Sequence, residues 1–419
     1  MSSQEITDQI QTETFEFTGR RGLFFKLLLI NLFLTIITLG IYRFWAKTNV
    51  RRFIWSNIRF MGDPLEYTGK GSELLLGFLI VLAILFPLGL IYEGIQSLAP
   101  PEERALHVGL EIAYYIVIFA LIQIGFYRAW RYRMSHTAWR GIRLGLDGST
   151  WTFLKLSLGW SVLTVLTLGI AYPWMAIELW RYQITHTRIG QTAAAFNGLA
   201  RPLLGPWILV LLPIWLTAVV LVFLGYKSDF DIGRALVYLG STEEYEPLNL
   251  RTVGIALVVT TTVWLVLQFW FGLKLLQHLL AHIFVKDSEF RSNFSIQQPL
   301  MVGLLASAMI IGFSGLLTAP IFLFDSELDY WLFPGRTTAD KTAEHAKILP
   351  FILTFVGLFV AFLSSPLIWT IIFQFELLRK IFTTTTISKP VTMERVIQSA
   401  SDSQKTGEGL ADALDIGGL

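Results

Sequence analysis

Five times along this chain a basic or polar side chain stands five residues ahead of an Asn, His or Thr, each time where an apolar stretch gives out. The pairs are Arg52 with Asn57, Arg131 with His136, Arg181 with His186, Gln277 with His282, and Arg379 with Thr384. Three residues before the first member of each pair lie Asn49, Arg128, Glu178, Lys274 and Glu376. Helical positions three apart share a face. Units packed about a common axis would therefore stack these side chains into a polar layer of cations with two carboxylates. The candidate layer comprises Glu178, Arg181, His186, Glu376, Arg379, Arg52, Asn57, Arg131, His136, Lys274 and His282. Ionisable groups at membrane depth face protein or water, and they mark a polar route or an anionic headgroup site. The competing reading is structural. Arg and His can simply close helices at the headgroups, complementing the helix dipole and the lipid phosphates, and the position of every copy near a helix end favours this. For the deeper Glu178 and Glu376 the alternative is ion pairing with Arg181 and Arg379.

Other chemistries find little support. His278 and His282 are spaced to share a helix face and could offer two imidazoles to a metal. No Glu stands between them and no third ligand is near, so no metal is expected. The chain has no Cys, which excludes disulfides, thiolate metal sites and Cys nucleophiles. No Gly-rich phosphate loop follows a strand and no Ser elbow is present. An enzyme is the poorest reading, and no cofactor is implied.

The elements that must position the polar layer belong to a membrane. Of 419 residues, 53% are apolar and 15% charged, too few for the surface of a soluble domain of this size. Apolar runs at 74–95, 112–125, 207–224, 253–272, 300–324 and 348–373 approach or exceed a bilayer span. A net charge of +2 implies no nucleic-acid partner; the expected partner is the bilayer, including its anionic headgroups. The polar, acid-containing start of the chain is not a cleavable signal peptide. Trp45, Trp55, Trp130, Trp139, Trp151, Trp174 and Trp180 gather at helix ends as an interfacial aromatic belt does.

A short alternating segment closed by Gly or Asn precedes each apolar run: Phe15-Glu-Phe-Thr-Gly19, Leu65-Glu-Tyr-Thr-Gly69, Ile142 to Gly148, Ala195-Phe-Asn-Gly198 and Phe290-Arg-Ser-Asn293. Period-two alternation ending in Gly reads as a strand and turn. Between strands run two helices. Those of units two, four and five are long. Units one and three are compact, turning at Thr-Leu-Gly-Ile (38–41 and 167–170), with Gly40 and Gly169 as helix caps. The fold expected is thus an all-α membrane protein of about five helical-hairpin repeats, eight to ten transmembrane helices, with short cytoplasmic β-hairpins between repeats. Ten crossings put every strand on one side; eight follow if the helix at 41–57, carrying Arg43, Lys47, Arg51 and Arg52, lies at the interface. The strand side is rich in Arg and Lys, whereas the opposite loops carry Glu102, Glu103 and acids at 229–246 and 325–344. By the positive-inside rule the strands and both termini are cytoplasmic. Residues 1–14 form a polar N-terminal segment, 15–390 the repeat-built membrane domain, and 391–419 a disordered tail.

The ordered combination Phe15-x-Phe-x-Gly19, Thr38-Leu-Gly-Ile-Tyr-x-x-Trp45, Arg52-x4-Asn57 and Tyr67-x-Gly69 resembles the YjgN-type family of bacterial inner-membrane proteins, over roughly 15–390. That resemblance implies a multi-pass protein of the bacterial inner membrane with no assigned reaction and no catalytic residues to carry over. Where a Pro is usual before the Trp, unit one has Phe44 and unit three has Pro173. The function expected is a transporter or permeation pathway for a small solute or a lipid-like molecule. The alternative is a non-catalytic scaffold that binds anionic lipid or a partner protein through its basic face.

Overall fold

A computed structural model of the chain describes residues 12–100, 103–228, 250–285, 288–323 and 348–388. The acidic stretches at 229–246 and 325–344, Glu102, the first eleven residues and the tail at 391–419 lie outside the described residues.

The helices are α1 (Arg21–Ile37), α2 (Arg43–Asn57), α3 (Gly71–Leu98), α4 (Arg104–Ser135), α5 (Thr150–Leu166), α6 (Tyr172–Thr185), α7 (Arg201–Ser228), α8 (Leu250–Leu280), α9 (Gln297–Leu323) and α10 (Ile348–Trp369). A π-helical turn, Thr370–Gln374, leads from α10 into α11 (Phe375–Thr384). Each helix packs against its neighbours in sequence, and α1 also meets the π turn, so the helices close into a ring.

Beneath them lies the element that overturns the all-α expectation. The strands are β1 (Thr12–Thr14), β2 (Glu16–Phe17), β3 (Ile58–Phe60), β4 (Asp63–Tyr67), β5 (Thr137–Trp139), β6 (Ile142–Leu146), β7 (Thr187–Ile189), β8 (Thr192–Phe196), β9 (Ile283–Val285), β10 (Ser288–Ser292) and β11 (Thr385–Ser388). They form not separate hairpins but one 11-stranded antiparallel sheet, in the order β1-β11-β10-β9-β8-β7-β6-β5-β4-β3-β2. Its two edges, β1 and β2, are joined through the single residue Phe15, so the N-terminal segment draws the sheet back on itself. A hairpin alone is marginal in water, and an exposed edge is a liability; joining four hairpins with β1, β2 and β11 leaves only the two short edges β1 and β2.

Pairing register decides what fills the sheet. Directly opposed residues share a face, as Leu65, Trp139 and Ile142 do, then Leu144 with Ile189, Ala194 with Val285, and Phe290 with Ile387. All of these side chains but Leu144, with Phe60 and Phe15, belong to one apolar cluster. Phe15 stacks on Phe60 at 4.8 Å and on Phe290 at 6.3 Å, so its ring links strands from both ends of the order. Trp139 packs on Phe60 at 5.0 Å; this residue, read above as part of an aromatic belt, is core. Burial of each such ring is worth about 1.5–3 kcal/mol. The opposite face carries Glu16, Arg59, Glu66, Arg143, Arg188, Glu289 and Arg291. The sheet is therefore packed with apolar side chains on one face and polar on the other.

The count of eight to ten crossings also needs correction. Among the described residues, six helices are long and apolar enough to cross: Gly71–Leu98, Arg104–Ser135, Arg201–Val220, Ala256–Leu280, Gln297–Thr318 and Leu353–Thr384. Helices α1, α2, α5 and α6 have 17, 15, 17 and 14 residues. At 1.5 Å per residue they reach only ~21–26 Å, short of the roughly 30 Å hydrocarbon core. Units one and three do return to the sheet, as hairpins shorter than those of the other units.

Their turns are built for that. Leu39 and Gly40 have φ of 50° and 91°, and Leu168 and Gly169 repeat this at 52° and 92°. Every backbone N–H from Thr38 to Arg43 donates within the turn, that of Tyr42 to Thr38 Oγ1 at 2.9 Å. Unit three does the same, with Ala171 N–H on Thr167 Oγ1 at 3.1 Å. Leu39 is 93% exposed. An apolar tip with no unmet donor suits hydrocarbon, where each orphan group costs several kcal/mol.

Candidate functional site

The repeated polar residues act locally, in the same way in each unit. The guanidinium of Arg52 donates to Gly69 O at 2.9 Å, that of Arg131 to Gly148 O, and that of Arg181 to Gly198 O at 2.8 Å. Gln277 donates to Phe294 O at 2.6 Å, and in all four the partner lies 17 residues on. The corresponding position for Arg379 lies outside the described residues. Each donor thus fastens the end of its helix to the turn where the next unit's leading strand gives way to its first helix.

The second member of each pair caps the helix. Asn57 donates to Phe53 O and Thr384 to Lys380 O, both at 2.7 Å. His136, His186 and His282 place Nδ1 at 2.9, 2.7 and 2.7 Å from the carbonyl four residues back. The backbone carbonyl of the same residue then accepts an N–H from the segment that leads into its own hairpin: Thr18 on Asn57, Thr68 on His136, Asp147 on His186, Asn197 on His282, and Asn293 on Thr384. The sequence phrase thus ties each hairpin to its own leading strand and, through the Arg or Gln, to the next unit.

Glycine completes the joint. Gly19, Gly69 and Gly198 follow an aromatic residue by two, and its ring lies back over the glycine. An added Cβ would meet the Phe17, Tyr67 and Phe196 rings at 2.8, 2.7 and 2.4 Å. Unit three has Leu146 in place of the aromatic, and there the hydroxyl of Tyr127 from α4 comes to 2.3 Å of the Gly148 Cβ position.

The carboxylates are paired. Glu178 holds Arg181, and Glu376 holds Arg21 of α1, with Arg379 at 3.7 Å. Lys274 lies over the Trp270 ring at 5.4 Å, and Asn49 donates to Tyr42 Oη at 3.2 Å. The layer is thus distributed around the ring at the helix ends, each member held by its own unit or the next. His278 packs against His282 at 4.3 Å, in the place that Tyr132 and Tyr182 take against His136 and His186. Among the described residues no group of three or more His, Asp or Glu is placed to hold a metal ion.

Three features escaped the sequence reading. Glu73 on α3 accepts from Tyr132 Oη at 2.7 Å and lies 3.4 Å from His136 Nε2. Arg51 is fully buried and donates to Tyr67 Oη at 3.1 Å. A cleft of about 350 Å³ opens between the first hairpin and α10, lined by Asn31, Thr35, Arg43 and Lys47 on one side and Phe362, Leu363, Pro366, Leu367 and Thr370 on the other. Charges on an otherwise apolar hairpin were the available signal for the cleft. Its opposite wall is more than 300 residues away in the chain.

A ring of helical hairpins standing on one antiparallel sheet, with six helices of membrane-crossing length among the described residues, defines a multi-pass membrane protein. The profile of a family described as bacterial protein of unknown function (DUF898) matches residues 12–413, and this chain belongs to that family. It is 31% identical over 137 residues to an inner membrane protein YjgN of Salmonella typhimurium strain LT2, a match covering 32% of each chain. Relatives of the same name in Escherichia coli O157:H7 and K12 are 30% identical over 77 residues, 18% of this chain and 19% of theirs. The chain thus matches about a third or less of the length of these curated relatives. No solved structure matches it. It is a multi-pass inner membrane protein.

Proposed function

We infer that this protein provides a lateral pathway for lipid-like molecules in the inner membrane. The observation that carries this reading is the unevenness of the helix ring. Units two, four and five rise on helices of 22–32 residues, about 33–48 Å, while units one and three stop within the bilayer. The wall therefore has two low places, each with an apolar turn at its crest, where acyl chains can pass. The sheet at the base is packed with Phe15, Phe60, Trp139 and Phe290, which opposes an axial route for a water-borne solute. The basic residues on the sheet side orient that end toward the cytoplasm.

A scaffold is the second reading, favoured by the fastening role of Arg52, Arg131 and Arg181. Reconstitution into vesicles with a fluorescent phospholipid separates the two. Bleaching of the outer leaflet alone should reach well beyond half of the probe if lipid crosses through the protein. A plateau equal to protein-free vesicles would leave the scaffold.

A further inference from the structure

Units one and three align without a gap from Arg21 on Thr150 to Phe86 on Trp215, so that α3 corresponds to α7 as well. Their two short hairpins share the Thr-Leu-Gly-Ile turn and its left-handed pair, yet only hairpin three is clamped at its tip. Trp207, Leu211 and Trp215 share a face of α7 and close on that turn. Trp207 Nε1 donates to Gly169 O at 2.7 Å and Trp215 Nε1 to Leu168 O at 3.2 Å. A Cβ on Gly169 would lie 3.1 Å from the Leu211 side chain. Tyr172, just past the turn, stacks on Trp207 at 4.4 Å.

Hairpin one lacks this clamp. The corresponding face of α3 is Phe78, Leu82 and Phe86, and a phenyl ring has no N–H to donate. Leu82 and Phe86 are 48% and 63% exposed where Leu211 is 6% exposed. Nothing lies within 4 Å of a Cβ on Gly40, and among the described residues no hydrogen bond from outside the hairpin reaches Leu39 or Gly40. The hairpin is held lower down. Phe44 packs on Phe78 at 5.3 Å, the Trp45 backbone lies against Gly71, Phe24 packs on Phe375 at 5.3 Å, and Arg21 pairs with Glu376. Above these contacts the cleft of about 350 Å³ parts it from α10.

We propose that hairpin one is the moving wall of the ring and hairpin three a fixed one. Hairpin one tilts about its contacts with α3 and α11, and its tip travels toward and away from α10. A helix of 17 residues is ~25 Å long, so a tilt of about 10° carries the tip about 4 Å. The facing wall is irregular beside that travel: Pro366 leaves the Phe362 carbonyl without its helical N–H partner, and the π turn follows at once. Such turns concentrate at functional positions. The role of the motion rests on the lateral-pathway reading: of the two low places, the seam between hairpin one and α10 admits lipid, and the place at hairpin three stays shut.

The test is the distribution of distances between paired spin labels on the full chain in lipid nanodiscs, for which the absence of Cys leaves a clean background. Leu39→Cys with Leu90→Cys reports hairpin one, and the aligned pair Leu168→Cys with Val219→Cys reports hairpin three; all four positions are exposed. The first distribution should be at least twice as wide as the second. Trp207→Phe with Trp215→Phe, which removes both indole donors, should widen the second at least 1.5-fold; Trp215→Phe alone serves if the double variant fails to fold. Equal widths in the two hairpins overturn the proposal, as does a hairpin three that stays narrow without its indoles. Bridging Thr35→Cys to Phe362→Cys across the cleft with a bis-maleimide should stop transbilayer lipid exchange, and exchange at the unbridged rate overturns the seam as the entrance. A wide hairpin-one distribution in a protein that exchanges no lipid overturns the pathway and leaves the moving wall standing.

Discussion

Gly198→Ala places a methyl group where the Phe196 ring already lies. The added Cβ meets ring Cζ at 2.4 Å, far inside van der Waals contact. The ring cannot swing away, because Phe196 is 7% exposed and packed in the main apolar cluster. Overpacking of this kind costs about 1–3 kcal/mol, and the stiffer unfolded chain returns about 0.4–1 kcal/mol. A net loss of about 1–2 kcal/mol is expected. Gly205→Ala is the matched control. It lies in α7 with nothing within 4 Å of its Cβ position, so Ala should stabilise the helix by up to about 1 kcal/mol. Leu is the residue unit three carries at the place of Phe196, so Phe196→Leu is the natural relief. In that background the cost of Gly198→Ala should shrink by ~0.5–3 kcal/mol, the range for groups in contact. Equilibrium unfolding in mixed micelles, read by far-UV circular dichroism, measures all four corners of the cycle. An equal cost in both backgrounds would refute the ring contact as the reason for glycine.

Three further outcomes follow from the geometry. Arg52→Met and Arg181→Met should each lose ~1.5–3 kcal/mol, the worth of a hydrogen bond to a charged group; a loss in one and none in the other would break the claim of a repeated fastening. Thr14 pairs directly with Thr386, at a separation a disulfide spans. With no native Cys to compete, Thr14→Cys with Thr386→Cys should oxidise to a species of altered gel mobility, and failure to do so would place β1 and β11 apart. Leu39→Cys should resist a membrane-impermeant maleimide from both sides, whereas Ala99→Cys at the far end of α3 should label from one side only. Ready labelling of Leu39→Cys would put the short hairpin in water.

The repeat, the membrane class and the strand side of each unit were legible because they rest on local signals: hydropathy, period-two alternation, and a phrase at fixed spacing. Closure was not. The sheet's strands are two to five residues long, and what binds them is register with a strand of another unit. The tight turns were masked too. Met61 and Arg140 adopt φ of 51° and 52° ahead of Gly62 and Gly141. Neither residue type advertises a left-handed conformation, which the twist of paired strands demands at two-residue turns. The polar phrase was found from sequence, but its partners were not, since a carbonyl 17 residues on belongs to no pattern of side chains. Arg43 and Lys47 entered only as an obstacle to crossing; their place in a cleft depends on α10, at the other end of the chain.

The pairing of Thr12 with Ser388 also sets a timetable. At ~5–20 residues per second, a ribosome needs roughly 20–75 s between releasing the first of these strands and the last. Throughout that interval the growing chain keeps an open strand edge at each end of its unfinished sheet. A product cut short by a stop codon or a stalled ribosome keeps them permanently. Completion of the polypeptide is thus recorded in the fold itself, and an incomplete copy presents the unpaired backbone that proteases and chaperones engage.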